Sequence, residues 1–173
     1  MKIQRYKKYN DRENILIELI DFESIPKSID LPRPFFHATI FADFDEVSNN
    51  DQLFEFLDLL LEKGGVYFIC GGTAGGKVHH CVDELIDIDE ANKIKKYPLQ
   101  SGKPPFQEGD CIMTTSHNDD SVEEVVWFAL NVAYSPDVCM KENPANLFFL
   151  MQNSPYLKKV KECLEDPSFD TED

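Results

Sequence analysis

The chain has 173 residues, 42% of them hydrophobic, with 32 acidic against 17 basic side chains and a formal charge of −15. That length suits one domain, and 13 phenylalanines can supply a core, which excludes global disorder. The charge repels nucleic-acid phosphates and anionic membranes and favours basic partners. No run reaches the roughly 18 apolar residues of a membrane span.

The first twenty residues, MKIQRYKKYNDRENILIELI, begin basic. Glu18 interrupts the apolar run and no small-residue cleavage site follows, so no signal peptide is read there. Lys2, Arg5, Lys7 and Lys8 concentrate positive charge in this arm, which leaves the remaining chain more acidic than the total. ILIELIDF (Ile15–Phe22) fits an edge strand, although its pattern also permits a helix.

FFHATIFADF (Phe35–Phe44), rich in aromatic and β-branched residues, predicts a strand. NNDQLFEFLDLLLEKGG places Leu53, Phe54, Leu57, Leu60 and Leu61 at helical spacing, and Gly64–Gly65 ends the helix. VYFIC (Val66–Cys70) is apolar throughout, as in a strand covered on both faces. A glycine-rich turn then leads into a predicted helix, KVHHCVDELI.

Tyr97–Gly109, with Pro98, Pro104 and Pro105, predicts a loop, followed by a strand at DCIMTT (Asp110–Thr115). SVEEVVWFALNVAY predicts a helix, with Asp119, Asp120 and Ser121 as capping candidates and Glu123 and Glu124 in its first turn. NLFFLMQ (Asn146–Gln152) reads as a fourth strand, and Ser154–Pro155 opens the helix PYLKKVKECLE.

Four strand–helix units in succession predict a three-layer α/β fold with a mostly parallel sheet of four or five strands and helices on both faces, Rossmann-like in outline. Residues 1–34 are expected as an N-terminal arm with a possible edge strand, 35–166 as the α/β domain, and 167–173 as a disordered acidic tail. The five cysteines (Cys70, Cys81, Cys111, Cys139, Cys163) are odd in number and lack CxxC spacing. They suggest neither a disulfide framework nor a zinc site, and the expectation is reduced, mostly buried thiols in a cytoplasmic protein.

Ligands of an open parallel sheet bind beyond the carboxyl ends of its strands. Those ends carry Asp43 and Asp45, then Gly71–Lys77, then Thr114, Thr115, His117, Asp119 and Asp120, and last Gln152 and Asn153. Loop residues and helix caps gather at this edge in any such fold, so the clustering alone does not define a site.

GGTAGGK (Gly71–Lys77) satisfies GxxxxGK between a strand and a helix, the context of a phosphate-holding P-loop. Val78 stands where that motif needs a Ser or Thr hydroxyl for Mg²⁺, and no acidic Walker-B strand follows. Gly72, Gly75, Gly76 and Lys77 are therefore candidates for looser anion binding, with a plain glycine-rich turn as the simpler reading. IFADFDEV (Ile40–Val47) resembles the first motif of haloacid-dehalogenase-like phosphatases. That resemblance would make Asp43 a nucleophile and Asp45 a general acid, but the remaining motifs are cramped and lack a convincing lysine. His79, His80 and His117 are weak candidates for a metal site, because adjacent helical residues point about 100° apart. No metal and no cofactor are called for.

Two segments, GGVYFICGGTAGGKVHHCVDELI (Gly64–Ile86) and IMTTSHNDDSVEEVVWFAL (Ile112–Leu130), together resemble an uncharacterised bacterial family of α/β domains. The second, with TT, His, acidic residues and a WF helix in succession, is the more specific. Gly71, Gly75 and Ser116 depart from the residues usual in that family. The resemblance implies a shared α/β domain and carries no activity with it. Two expectations follow from charge, size and the incomplete catalytic sets. One is a non-enzymatic acidic module that covers a basic protein partner, as immunity proteins and antitoxins do. The other is a small enzyme or binding domain for a phosphate-bearing molecule, with Asp43, Asp45, His117 and Asp119 as candidate catalytic residues.

Overall fold

The computed structural model describes residues 1–24, 35–91 and 112–167. The expected loop at Tyr97–Gly109, Cys111, and nearly all of the expected tail lie outside them. Six strands form one sheet: β1 (Lys2–Tyr9), β2 (Arg12–Leu19), β3 (Phe36–Phe41), β4 (Gly65–Gly71), β5 (Met113–His117) and β6 (Ala145–Met151). The order across the sheet is β1-β2-β6-β3-β4-β5; β1 is antiparallel to β2 and every other pairing is parallel. This is the α/β class expected, but with six strands in place of four or five.

The extra strand comes from the basic N-terminal segment. Asn10 and Asp11 take positive φ values of 50° and 63°, the conformation that lets a two-residue turn join twisted antiparallel strands. Ile15–Leu19 thereby becomes an inner strand, buried between β1 and β6, and the edge position passes to β1. Lysines suit that position, because charged side chains discourage a foreign strand from adding to an open edge.

β4 and β6 are buried along their full lengths, which is why both read as unbroken apolar runs. α1 (Asn50–Glu62) and α2 (Gly75–Ala91) cover one face. There Leu53, Phe56, Leu57, Val78 and Val82 pack on Ile15, Ile17, Ile40, Phe68 and Phe149. α3 (Val122–Asn131) and α5 (Leu157–Glu165) cover the other, with Val125, Val126, Ala129, Val160 and Leu164 on Leu16, Ile69, Phe148 and Leu150. A short α4 (Asp137–Met140) precedes β6. Among the described residues no helix is long and apolar enough to cross a membrane.

Side-chain caps start α1 and α3, whereas α5 begins at Leu157 without one, two residues after the expected Ser154–Pro155 start. Asn49 accepts the amides of Asp51 and Gln52 at the start of α1. At α3, Ser121 Oγ accepts the Glu124 amide while Glu124 Oε2 accepts the Ser121 amide, a reciprocal capping box. α3 ends at Asn131, before the expected Tyr134. β5 reaches two residues beyond Thr115, so His117 is its last residue and not part of the following loop.

Read from β5, the order β5-β4-β3-β6 reverses direction between β3 and β6. The helix after β3 lies on one face and the helix after β6 on the other. In doubly wound sheets this switch is where a crevice opens for a ligand.

Candidate functional site at the carboxyl edge of the sheet

The crevice position is filled by the protein itself. Tyr156, just before α5, packs its ring on Phe41 at 5.7 Å and presents its hydroxyl to the Thr73 amide at 3.0 Å. Thr73 in turn donates its hydroxyl to Asp43 Oδ1 at 2.8 Å, and the Phe44 amide reaches the same oxygen at 2.7 Å. The turns after β3, β4 and β6 are thus joined by one chain of hydrogen bonds.

Glycines make this closure sterically possible. A Cβ on Gly72, where φ is +85°, would sit 2.5 Å from the Ala42 carbonyl oxygen and 2.8 Å from the Tyr156 ring. A Cβ on Gly75 would meet the Cys70 carbonyl at 2.5 Å, and one on Gly76 would meet Asn118 Nδ2 at 2.7 Å. Close packing therefore accounts for the glycines of the GxxxxGK sequence without any bound phosphate.

The backbone donor that would hold an anion is also engaged, and the lysine is tethered. The Gly76 amide, at the N-terminal end of α2, donates to Asn118 Oδ1, which also accepts the Ser116 hydroxyl at 3.3 Å. Lys77 Nζ donates to the Val47 carbonyl oxygen. A backbone amide has a single hydrogen and must give up its bond before it can bind a ligand, whereas the Lys77 ammonium keeps two further N–H donors.

Carboxylates dominate what remains outside. Asp45 and Asp119 are exposed, and Phe44, between Asp43 and Asp45, is 64% exposed. Glu46 is half-buried and accepts the Asp43 amide at 2.8 Å. Burial pushes its pKa up; that hydrogen bond pulls it back and the Asp43 charge pushes it up again.

His117 is drawn into β5. Its Nδ1 lies 2.6 Å from Asp120 Oδ2, its Nε2 3.1 Å from Thr115 Oγ1, and its ring centroid 4.7 Å from that of Phe128. Asp43, Asp45, His117 and Asp119 all lie at the carboxyl edge, but β4 separates Asp43 from His117, and neither hydrogen bond nor ion pair joins them. His79 is engaged elsewhere: its Nε2 is 3.1 Å from Thr114 Oγ1 and its Nδ1 3.4 Å from Asp83 Oδ2, while His80 is exposed. Among the described residues no three His, Cys, Asp or Glu side chains are grouped as metal ligands would be.

The residues that organise this edge and that sequence reading passes over are Tyr156, Thr73 and Asn118. Each works through a partner distant in sequence, so no local spacing marks them. The four cysteines within the described residues, Cys70, Cys81, Cys139 and Cys163, are buried.

No curated protein and no solved structure matches this chain. A family model described as a domain of unknown function (DUF7684) matches residues 15–167, from β2 to the end of α5, and the chain belongs to that family.

Proposed function

We propose that this protein is a non-enzymatic, acidic binding module of the bacterial cytoplasm that covers a basic surface on a partner protein, in the manner of an immunity protein or antitoxin. The observation that carries the reading is the division of groups at the carboxyl edge. The backbone donors there, Gly76 N–H and Thr73 N–H, are engaged within the fold and Lys77 Nζ is tethered by one bond to the Val47 carbonyl, whereas Asp45, Asp119 and the ring of Phe44 face solvent. An exposed aromatic near carboxylates offers an apolar anchor with a charged surround, the usual division of labour in a protein interface. The overall charge of −15 would speed encounter with a basic partner.

A phosphate-bearing ligand, the other class suggested by the sequence, would need the Thr73 and Gly76 amides that the fold already uses, which leaves it only the remaining N–H donors of Lys77. The edge therefore favours a cationic partner.

The test compares wild type with Asp45→Lys/Asp119→Lys and with Phe44→Ala as baits in lysate of the source cell. The expected result is a basic protein held by the wild type, released by raised salt, and lost from both variants. A partner held equally by all three baits, or no basic protein held at low salt, overturns the proposal.

A further inference from the structure

Arg12 opens β2 at the amino edge of the sheet, opposite the face described above. It is half-buried. Its Nη1 lies 3.4 Å from His37 Nδ1 and donates to the Ala133 carbonyl oxygen at 3.2 Å, and Nη2 lies 3.9 Å from Met140 Sδ. None of these partners carries a negative charge.

The tautomer of His37 follows from the same contacts. A guanidinium only donates, so Nδ1 is the lone-pair nitrogen and Nε2 carries the hydrogen, which it donates to Ser135 Oγ at 3.2 Å. Ser135 directs its own proton to Met140 Sδ at 3.4 Å. His37 is fully buried and neutral in this arrangement, and supplies no counter-charge.

Neither neighbouring carboxylate is bonded to Arg12. Glu13, next to Arg12 on β2, pairs with Arg5 at 3.0 Å, and Asp137 accepts the Tyr134 hydroxyl at 2.7 Å. Among the described residues no carboxylate forms an ion pair with Arg12. Burial lowers the pKa of the guanidinium, with Tyr134 acting in the opposite direction, which places that exposed ring within electrostatic reach. Arginine does not escape this cost by losing its proton, and a desolvated cation is ordinarily retained with an anion beside it.

We propose that Arg12 is an oxyanion receptor at the amino edge of the sheet, and that a ligand's carboxylate or phosphate group, resting beside Tyr134, is the counter-ion the fold leaves out. Arginine's planar fork can give such a group two parallel N–H bonds.

The test is an amide NMR titration of the full chain with sodium phosphate and, separately, sodium acetate, each against sodium chloride at matched ionic strength. Saturable shifts confined to Arg12, Ala133, Tyr134 and Ser135 are expected, and the arm that saturates at lower concentration identifies the oxyanion. Arg12→Gln should weaken binding by about tenfold or more. Should that variant fail to fold, Arg12→Lys, which keeps the charge without the fork, should also bind more weakly than wild type. Drift that never saturates or is equal in chloride, or wild-type affinity in either variant, overturns the proposal. The Asp45→Lys/Asp119→Lys variant should retain the oxyanion response, which separates this site from the acidic face.

Discussion

The Thr73 amide donates to the Tyr156 hydroxyl at 3.0 Å and so ties the turn after β4 to the segment after β6, across the end of β3. This single bond occupies the place where a doubly wound sheet would admit a ligand. Tyr156→Phe removes the acceptor and leaves the ring on Phe41, and should cost about 1 kcal/mol. Gly72→Ala should cost more, about 2 kcal/mol or above, because it combines a positive φ with a Cβ pressed against the Ala42 carbonyl and the same ring. Urea unfolding of the two variants checks the order; an alanine at 72 tolerated as well as the phenylalanine at 156 would contradict the close approach.

Much of the fold was legible because burial on both faces writes itself as unbroken apolar sequence, as in VYFIC and NLFFLM. β1 was not. KIQRYKKY buries little of itself, and its place in the sheet depends on the turn at Asn10–Asp11 and on ion pairs from Arg5 to Glu13 and Lys2 to Glu18. The site was legible as an edge, because strand ends are local features. Its organisation was not, since Tyr156 meets Thr73 across 83 residues and Asn118 meets Gly76 across 42. GxxxxGK was seen as a pattern, but only the packing gives a reason for its glycines.

His37 supplies a pH dependence. Burial, reinforced by Arg12, pushes its pKa down from 6.5 to about 3. Between those values the unfolded chain binds a proton that the folded protein refuses. This residue therefore lowers stability as pH falls, by about 1.4 kcal/mol per unit across the window, and contributes no slope above 6.5. His37→Asn should remove that increment from the slope of unfolding free energy against pH. Its imidazole NMR signals in the wild type should stay in the neutral form down to the acid end of the window. Protonation of His37 in the folded protein near pH 6.5 would sink the argument.

Glu18 is a buried carboxylate on β2, 2.8 Å from Lys161 of α5 and 3.3 Å from Lys2 of β1. Burial alone would raise its pKa, but the hydrogen bonds and charges of Lys161 and then Lys2 outweigh it and hold the group below its ordinary value. Its stabilising contribution is thus present above the unfolded pKa and lost as pH falls through the folded one. Lys161→Met removes the stronger of the two partners. The carboxyl should then titrate at higher pH, and stability at neutral pH should drop by about 1–2 kcal/mol, less than for a fully buried pair because Lys161 is partly solvated. Carboxyl-carbon NMR titration reads the first effect and chemical denaturation the second; an unchanged Glu18 midpoint would show that Lys161 does not set its charge.

The cysteines give a prediction about reactivity. Cys70 and Cys139 are fully enclosed, and Cys81 and Cys163 nearly so. Burial pushes the Cys70 thiol far above its ordinary value, pushes Cys163 up to about 11, and raises Cys81 against the opposing pull of Lys77. The thiolate is the reactive species, so at neutral pH Cys70, Cys81 and Cys163 hold almost none of it, and burial denies all four a path for reagent. Brief treatment of the native protein with iodoacetamide, followed by peptide mass spectrometry, should leave all four unmodified, whereas denaturant should expose every one. Rapid native labelling of Cys70 in particular would mean that the glycine turn following β4 opens readily. The Thr73–Tyr156 bond could then not be holding that edge closed.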